Sequence, residues 1–387
     1  MSIKQFFSVS LILGSLSGCG AIEYLFVEET FEASPEPLIE FAAEFEPNIL
    51  WQENTGDGTE SAYADLSPWL QNEHIFTVDA TGDVRSYQAA NGRSVWRQKL
   101  KVTVAAGVGG GAGKILIGSQ QGEVIALDEQ NGDILWRQRL TSEVLAPPKA
   151  NENIVVVRTA DGRVTGLSAN DGKVLWNYQR SVPLLSLRGV SAPLIIGDRA
   201  LAGYDNGKLV ALSLTDGKVI WEKSVAVPRG RTELERLVDI DADLKIVNNV
   251  VYVAAYQGNL AAFDIETGNQ QWSREISSKK GFDVAQGEAV YITDEVSYVW
   301  AIQDGSGDSL WRQTRLLRRN VTAPAIVGDY IVVGDLEGYL HWLARSDGRF
   351  VARQELNDVA ITSQPMVANG ILYVMSRDGR LTAIETP

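Results

Sequence analysis

Glycine turns recur along this chain in pairs ten residues apart, and a tryptophan follows most second glycines by four residues. The first glycines are Gly82, Gly122, Gly162, Gly207, Gly258, Gly338 and Gly379, with Ser297 in the remaining place. The second glycines are Gly92, Gly132, Gly172, Gly217, Gly268, Gly307 and Gly348. The tryptophans are Trp96, Trp136, Trp176, Trp221, Trp272 and Trp311, and Ala352 stands in the seventh place. A repeat of about 40 residues is the period of four-stranded propeller blades, so the pattern predicts an all-β fold.

Residues 190–227 show one repeat clearly. Four short β-rich segments are separated by Gly197-Asp198, Asn206-Gly207 and Asp216-Gly217, which are hairpin-type pairs. Each repeat is therefore predicted to be a blade of four antiparallel strands.

Seven repeats are complete, whereas the last one stops after three strands. The missing strand is supplied at the other end of the chain, where the residues around Trp51 look like a fourth strand with no preceding three. We therefore expect an eight-bladed β-propeller whose last blade is closed by this N-terminal strand. Closure of the ring removes the exposed sheet edges that an open array would leave.

The first 46 residues differ from the repeats. Residues 1–18 have the charged start and short apolar run of a signal peptide, and Cys19, the only cysteine, occupies the place of a lipidated cysteine in a bacterial lipoprotein signal. Gly20 follows it, which favours the outer membrane, with the lipid-anchored protein facing the periplasm. Residues 19–46 are acidic and contain prolines, so they are predicted to be either an extended tether or a short docking helix. Residues 47–387 would form the propeller.

Composition and motifs argue against several kinds of chemistry. A net charge of −14 disfavours nucleic-acid binding, which needs Lys and Arg for phosphate contacts. The glycine-rich run 107–114 lacks the hydroxyl residue of a phosphate loop and precedes a predicted strand, not a helix. It takes the place of a turn between a first and a second strand. The two histidines, His74 and His341, lie far apart in sequence, and His341 is predicted to be structural. We predict no catalytic residues, no metal site and no cofactor.

The repeat is interrupted in two places. Trp176 to Trp221 spans 45 residues and Trp221 to Trp272 spans 51, against 39 to 41 for most other intervals. The additional residues fall mainly in 182–189 and 227–237, between a fourth strand and the next first strand, and such connections emerge on one face of the ring. The first insert is leucine-rich and either binds a partner or folds back onto the blades. In the second, Thr232 is predicted to cap a helical turn.

Two charged segments lie on the same predicted face. Asp239, Asp241 and Asp243 alternate along the chain without the glycine and distal glutamate of a calcium loop, which indicates a partner contact or a solvated face. A later connection carries Arg312, Arg315, Arg318 and Arg319, and is either a basic subsite or solvated charge.

The segment Ala262–Trp272 resembles the pyrroloquinoline-quinone-type propeller repeat, which is specific for fold and not for chemistry. Together with the lipoprotein signal and the two interrupted connections, it makes nearly the whole mature chain similar to the lipoprotein subunits of the outer-membrane β-barrel assembly machinery.

That resemblance implies a non-enzymatic scaffold that assists the folding and insertion of β-barrel proteins into the outer membrane. It also implies that Leu185, Leu187, Arg188, Asp239 and Asp241 lie on the face that binds a periplasmic domain of the barrel-forming subunit. Unfolded outer-membrane proteins are a further class of partner, bound by strand addition.

Two alternatives remain at this level. One is a periplasmic quinone-dependent dehydrogenase, although enzymes of that kind carry an adjacent-cysteine disulfide and calcium ligands that this chain lacks. The other is a lipoprotein that binds small ligands in the central channel of the ring.

Overall fold

The computed structural model describes residues 34–58, 66–181, 183 and 191–387. Four predicted site residues, Cys19, Leu185, Leu187 and Arg188, lie outside these ranges. The described residues contain strands and turns but no helix, which confirms the all-β prediction. They accordingly include no helix long and apolar enough to cross a membrane.

The strands follow one another in antiparallel units of four. In the described part of the chain they form six four-stranded sheets and one eight-stranded sheet, in which two units are joined by parallel pairing of β6 with β10. First strands of successive units lie next to one another, as in the series β18, β22, β26 and β30.

The strand bounds are given by position within the unit. The first strands are β2 (Trp69–Gln71), β6 (Gly109–Gly111), β10 (Lys149–Ala150), β14 (Leu194–Ile196), β18 (Lys245–Val247), β22 (Gly281–Ala285), β26 (Ala325–Val327) and β30 (Met366–Ala368). The second strands are β3 (His74–Val78), β7 (Lys114–Gly118), β11 (Ile154–Arg158), β15 (Arg199–Gly203), β19 (Val250–Ala254), β23 (Ala289–Thr293), β27 (Tyr330–Gly334) and β31 (Ile371–Met375). The third strands are β4 (Asp83–Gln88), β8 (Glu123–Asp128), β12 (Arg163–Ser168), β16 (Lys208–Ser213), β20 (Asn259–Asp264), β24 (Val299–Gln303), β28 (Tyr339–Ala344) and β32 (Arg380–Glu385). The fourth strands are β5 (Ser94–Lys99), β9 (Ile134–Arg139), β13 (Val174–Gln179), β17 (Val219–Ser224), β21 (Gln270–Glu275), β25 (Ser309–Gln313), β29 (Phe350–Glu355) and β1 (Asn48–Asn54).

The N-terminal strand completes the last unit, as the sequence predicts. β1 pairs antiparallel with β32 from Asn48 opposite Glu385 to Asn54 opposite Arg380. The Trp51 indole nitrogen donates to the Ala89 carbonyl of the next unit at 3.1 Å. The first and the last strand of the described residues are thus held in one sheet.

Each repeated tryptophan packs against the turn glycine of the following unit. A Cβ atom added at these glycines, for example at Gly348 beside Trp311, would lie only 2.5–2.9 Å from the indole ring of the preceding unit. A larger residue at this turn would therefore displace the indole ring, in addition to straining a backbone with positive φ. This contact explains why glycine and tryptophan recur together in the sequence.

The seventh unit also pairs a small residue with a tryptophan, but the two residues have exchanged strands. Elsewhere a small residue on the third strand faces the tryptophan on the fourth, as Ala301 faces Trp311. In the seventh unit Trp342 on β28 faces Ala352 on β29, and both side chains are buried. The missing tryptophan at position 352 is therefore compensated by its strand neighbour.

Residues 35–46, which we call the strap, form neither strand nor helix and pack on the seventh unit. Glu44 donates its amide to the Val351 carbonyl at 2.8 Å, and Phe41 stacks on Phe350 with 5.5 Å between ring centroids. Phe45 lies 5.1 Å from the Tyr330 ring. The sequence did not predict these contacts.

Phe45 reaches the seventh unit where the repeat is irregular. Its ring meets Trp342 edge-on, at 6.3 Å and 86°, and belongs to the apolar cluster that includes Ala352. The last unit has no turn between its third and fourth strands, because β32 precedes the C-terminus and β1 follows the strap. The incoming chain therefore stands where other units have a turn glycine, and Phe45 adds an aromatic ring there.

The glycine-rich run is a strand, not a phosphate loop. Gly109–Gly111 form β6, and a Cβ atom at Gly109 or Gly111 would lie 2.0 or 2.1 Å from a carbonyl oxygen of the β10 region. The run was predicted to be only a turn between strands, which was wrong in this detail. Glycine is needed because the two backbones approach closely.

Candidate functional site

The connections from fourth to first strands share one end of the sheets with the turns between second and third strands. Asp239 and Tyr256 form an isolated bridge across two such segments. Glu295 likewise donates its amide to Ser277, and Leu336 to Arg319. The two long connections, β13–β14 and β17–β18, therefore belong to the same face, which we call the connection face.

The β17–β18 connection begins with the predicted capped turn. The Thr232 hydroxyl accepts from the Glu235 amide at 3.2 Å, and the Glu235 carboxylate accepts from the amides of Arg231 and Thr232 at 2.7 and 3.3 Å. These amide hydrogen bonds lower the pKa of Glu235. The turn is a single one and does not extend into a helix.

The acidic stretch follows, and apolar residues between its aspartates fix it to the sheets. Val238, Ile240 and Leu244 are buried in the core between the fourth and fifth units. Ile240 lies where a Cβ atom on Gly203 would come within 2.3 Å of its side chain, so the absence of a side chain at Gly203 lets the connection approach. The positions of the aspartates relative to the sheets are thereby fixed.

The three aspartates differ in exposure. Asp239 is fully buried and interacts with Asp241, which is partly buried, whereas Asp243 is exposed. The solvated-face interpretation is therefore wrong for Asp239. The Asp243 carboxylate accepts from the Ala192 amide at 2.8 Å. It therefore joins the β17–β18 connection to the end of the leucine-rich β13–β14 connection.

A buried arginine, Arg158, contacts the residues beside the acidic stretch. Arg158, at the end of β11, is 2% exposed and donates to the Asp205 carboxylate at 2.6 Å and to the Ser191 hydroxyl at 3.4 Å. Its guanidinium also lies over the Tyr204 ring, 5.0 Å from the centroid. Ser191 and Ala192 directly follow the leucine-rich segment, so Arg158 and Asp243 both hold its C-terminal end.

The cluster is acidic, and this alters the pKa of Asp241. Burial, and next the nearby Asp205 carboxylate, raise the pKa of Asp241 to about 6, while Arg158 and Lys279 oppose the shift. Functional sites often contain carboxyl groups with shifted pKa values, and structural ion-pair networks contain them as well. The charge of Asp241 would be stabilised by a basic or hydrogen-bond-donating group.

The structure thus places Asp239 and Asp241 in one cluster with Arg158, Asp205 and Asp243. Sequence analysis missed Arg158, although a single arginine ending the run Ile154–Arg158 is an unusual residue for a buried strand. Asp243 belonged to the alternating acidic stretch but was given no separate role. Asp205 carries no sequence signal, because its contact with Arg158 depends on the fold.

A second buried polar cluster lies in the seventh unit and includes His341 and Arg319, two residues considered in the sequence analysis. His341 is fully buried, with one ring nitrogen 2.9 Å from Asp335 and the other accepting from Arg353 at 3.2 Å. Burial lowers the pKa of His341 despite the adjacent carboxylate. The prediction of a structural His341 is confirmed, and His74 lies in the first unit on β3.

Arg319 belongs to this cluster and is neither a basic subsite nor solvated charge. It is 2% exposed, donates to Asp335 at 2.7 Å and pairs with Glu337. Burial alone would raise the pKa of Asp335, but hydrogen bonds from His341 and Arg319 outweigh it and lower the pKa. Arg312, Arg315 and Arg318 are exposed, so the arginines of this connection serve different purposes.

The described residues hold no group of three or more His, Cys, Asp or Glu side chains placed to bind a metal ion.

Comparison with known proteins agrees with this geometry. The family model described as "Outer membrane protein assembly factor BamB" matches residues 80–313 and 301–386. The chain belongs to this family. The Pseudomonas aeruginosa BamB is 45% identical over 353 residues, covering 91% of this chain and 92% of that relative.

Solved structures show the same fold. The crystal structure of BamB from Moraxella catarrhalis superposes with a TM-score of 0.81 at 29% identity, over 88% of this chain and all of that one. The chain is accordingly a β-propeller of the BamB type. A quinohemoprotein alcohol dehydrogenase from Comamonas testosteroni also superposes, with a TM-score of 0.68 over 88% of this chain and 76% of that one. At 12% identity that likeness concerns the fold alone.

Proposed function

We propose that this chain is a non-enzymatic scaffold of the outer-membrane β-barrel assembly machinery. The observation that carries the proposal is near full-length similarity to proteins named outer membrane protein assembly factors, including 36% identity over 95% of the chain with the Escherichia coli protein. The dehydrogenase alternative has only the shared fold in its favour.

The proposed architecture is an eight-bladed ring with a lipid anchor. Residues 1–18 are the signal peptide, residues 19–46 the lipidated segment that starts at Cys19, and residues 47–387 the ring, with β1 as the last strand of the eighth blade. The four-strand units and the pairing of β1 with β32 support this arrangement. The protein would be anchored in the outer membrane and face the periplasm.

The proposed partner site is the connection face at the third and fourth units. Leu185 and Leu187 would bury apolar surface against a periplasmic domain of the barrel-forming subunit, and Arg188 and Asp241 would orient it through charge. Asp239 is buried, so we assign it the task of positioning Asp241. Arg158 and Asp243 support this arrangement because they hold the end of the segment that carries the leucines. Unfolded outer-membrane proteins would be a second class of partner, bound at the edges of fourth strands.

Affinity capture from detergent-solubilised envelope tests the proposal. Truncating a central anchor typically costs about 2 kcal/mol, or roughly thirtyfold in affinity. We expect Leu187→Asp to abolish capture of the barrel-forming subunit with the melting temperature nearly unchanged, and Arg188→Glu to weaken capture in a salt-dependent way. Leu310→Asp is the matched control, since Leu310 is 52% exposed in the sixth unit.

Two results would contradict the assignment. If Leu187→Asp unfolds the ring, Leu187 belongs to the core. If Leu187→Asp and Leu310→Asp capture the subunit equally well, the interface lies elsewhere.

A further inference from the structure

The strap determines where the N-terminal part of the chain leaves the ring. Glu36 donates its amide to the Leu317 carbonyl at 3.0 Å and accepts from Arg319 at 3.1 Å through its own carbonyl. Arg353 holds the strap further along by donating to the Ile39 carbonyl at 2.9 Å. The strap therefore begins at the β25–β26 connection, between the sixth and seventh units.

This exit lies beside exposed arginines and half-buried aromatic side chains. Arg312 lies over the rings of Trp300 and Tyr298, 4.6 and 5.4 Å from their centroids. Arg315 is exposed in the same connection. Val296 is 40% exposed, and its carbonyl accepts from the Arg318 amide at 2.9 Å, which joins the β23–β24 turn to the connection. We call Val296, Tyr298, Trp300, Arg312 and Arg315 the exit patch.

The chemistry of the exit patch fits the headgroup region of a lipid bilayer. Tryptophan and tyrosine favour the membrane–water interface, and arginine binds lipid phosphates while its stem lies along apolar surface. Two acidic residues adjoin the patch. The Asp294 carboxylate accepts from the Trp300 indole at 2.9 Å and from amides of its own turn, and the exposed Glu295 accepts from the Ser277 hydroxyl at 2.7 Å. The patch thus offers arginines and aromatic rings to a lipid surface.

Chain length brings the patch within reach of the membrane. If Cys19 carries the lipid, the segment from residue 19 to residue 34 spans at most ~55 Å when fully extended, at ~3.5 Å per residue. If the strap were released from the ring, the tether would extend to residue 46 and would let other surfaces of the ring approach the membrane.

We propose that the exit patch is the surface of this protein that contacts lipid headgroups. The proposal rests on the lipid anchor at Cys19 given under the proposed function. The partner site lies on the same connection face but at the β13–β14 and β17–β18 connections, so the ring would meet the membrane and its protein partner through separate parts of one face.

Site-selective quenching on vesicles tests this inference with the lipidated full-length mature protein. Cys19 is the only cysteine and is blocked by acylation, so one introduced cysteine can be labelled with a fluorophore. Val296→Cys places the label in the patch. Val219→Cys is the matched control, because Val219 is 45% exposed and lies in the fourth unit. The vesicles contain phosphatidylethanolamine and phosphatidylglycerol, with a quencher attached to a fraction of the headgroups.

We expect stronger quenching of the label at position 296 than at position 219. Adding Arg312→Gln and Arg315→Gln should remove the difference, whereas Arg229→Gln with Arg231→Gln, an exposed pair on another connection, should preserve it. Equal quenching of the two labels on protein that is firmly bound to the vesicles would overturn the inference while leaving the anchor intact. Failure of the protein to associate with vesicles at all would overturn the anchor and this inference together.

Discussion

Phe45 offers the sharpest test of how the irregular seventh unit is completed. Its side chain is half-buried and contacts Tyr330 and Trp342, next to the alanine that replaces the repeated tryptophan. Phe45→Ala removes these contacts without changing the repeats themselves. The matched control is Glu40→Ala, because Glu40 is an exposed residue of the same strap.

The magnitude follows from the buried area. A half-buried phenylalanine removes about 100 Å² of apolar surface from water, worth ~2.5 kcal/mol at ~25 cal/mol per Å². The aromatic contacts add up to about 1 kcal/mol, and ordering the side chain costs a similar amount. We therefore expect Phe45→Ala to lower the free energy of unfolding by about 2–3 kcal/mol. For a ring of this size that corresponds to a melting-temperature decrease of roughly 3–4 °C.

The strap also sets an upper limit on the loss. If it detaches while the ring stays folded, no combination of strap substitutions can remove more than its net docking free energy. Phe41→Ala with Phe45→Ala should therefore lose less than the sum of the single losses, and no more than a chain that begins at residue 47.

Urea unfolding followed by tryptophan fluorescence measures these losses, and limited proteolysis of the strap reports its detachment. An unchanged midpoint in Phe45→Ala would show that the ring gains nothing from Phe45. A double-variant loss larger than that of the chain lacking the strap would show that the strap does not act as a separable unit.

Three further predictions concern the buried polar groups and the closing strand. Because the pKa of Asp241 is raised to about 6, the native protein keeps a proton that the unfolded protein loses between about pH 4 and pH 6, so this group lowers the free energy of unfolding as pH rises through that window. In unfolding titrations, Asp241→Asn should abolish this pH dependence and raise the free energy of unfolding at pH 7 by up to about 3 kcal/mol, and Asp198→Asn, at an exposed position, is the control. Arg319→Ala should cost about 3–5 kcal/mol because it leaves Asp335 buried with fewer partners. Arg312→Ala, on the preceding strand β25, should cost no more than about 1 kcal/mol, the value of an exposed cation–π contact. Equal melting temperatures of the two variants would contradict the difference in their environments. Removing β1 by starting the chain at Asn54 should lower the melting temperature markedly, with Trp51→Ala alone costing about 3 kcal/mol, and an unchanged thermal transition would refute the closing role of β1.

The repeating part of the fold could be predicted because one local pattern is used many times. Gly348 and Trp311 illustrate it, since the glycine turn and the indole ring of the preceding unit fit each other through a contact that each repeat imposes. The same reasoning placed Trp51 in a fourth strand and the two long connections on one face. Spacing alone was sufficient for these predictions.

The parts that escaped prediction are those where contacts depend on a single place in the fold. The strap has no periodicity, and nothing in its sequence shows that Phe45 meets Trp342. Arg319 could not be told from Arg312 or Arg315, because burial and not composition distinguishes them. Arg158 and Asp205 lie 47 positions apart and form an ion pair only after two units have packed together.

Two buried arginines hold the segments next to the proposed partner site and next to the exit patch. Arg158 holds the residues that follow the leucine-rich segment, and Arg319 holds the start of the strap, each with a carboxylate partner below the surface. These clusters share no residue and lie on different units. Because distant sites act independently, Asp241→Asn should change partner capture only, and Arg312→Gln with Arg315→Gln should change headgroup quenching only. A change in headgroup quenching caused by Asp241→Asn would instead show that the partner site and the exit patch are mechanically linked through the ring.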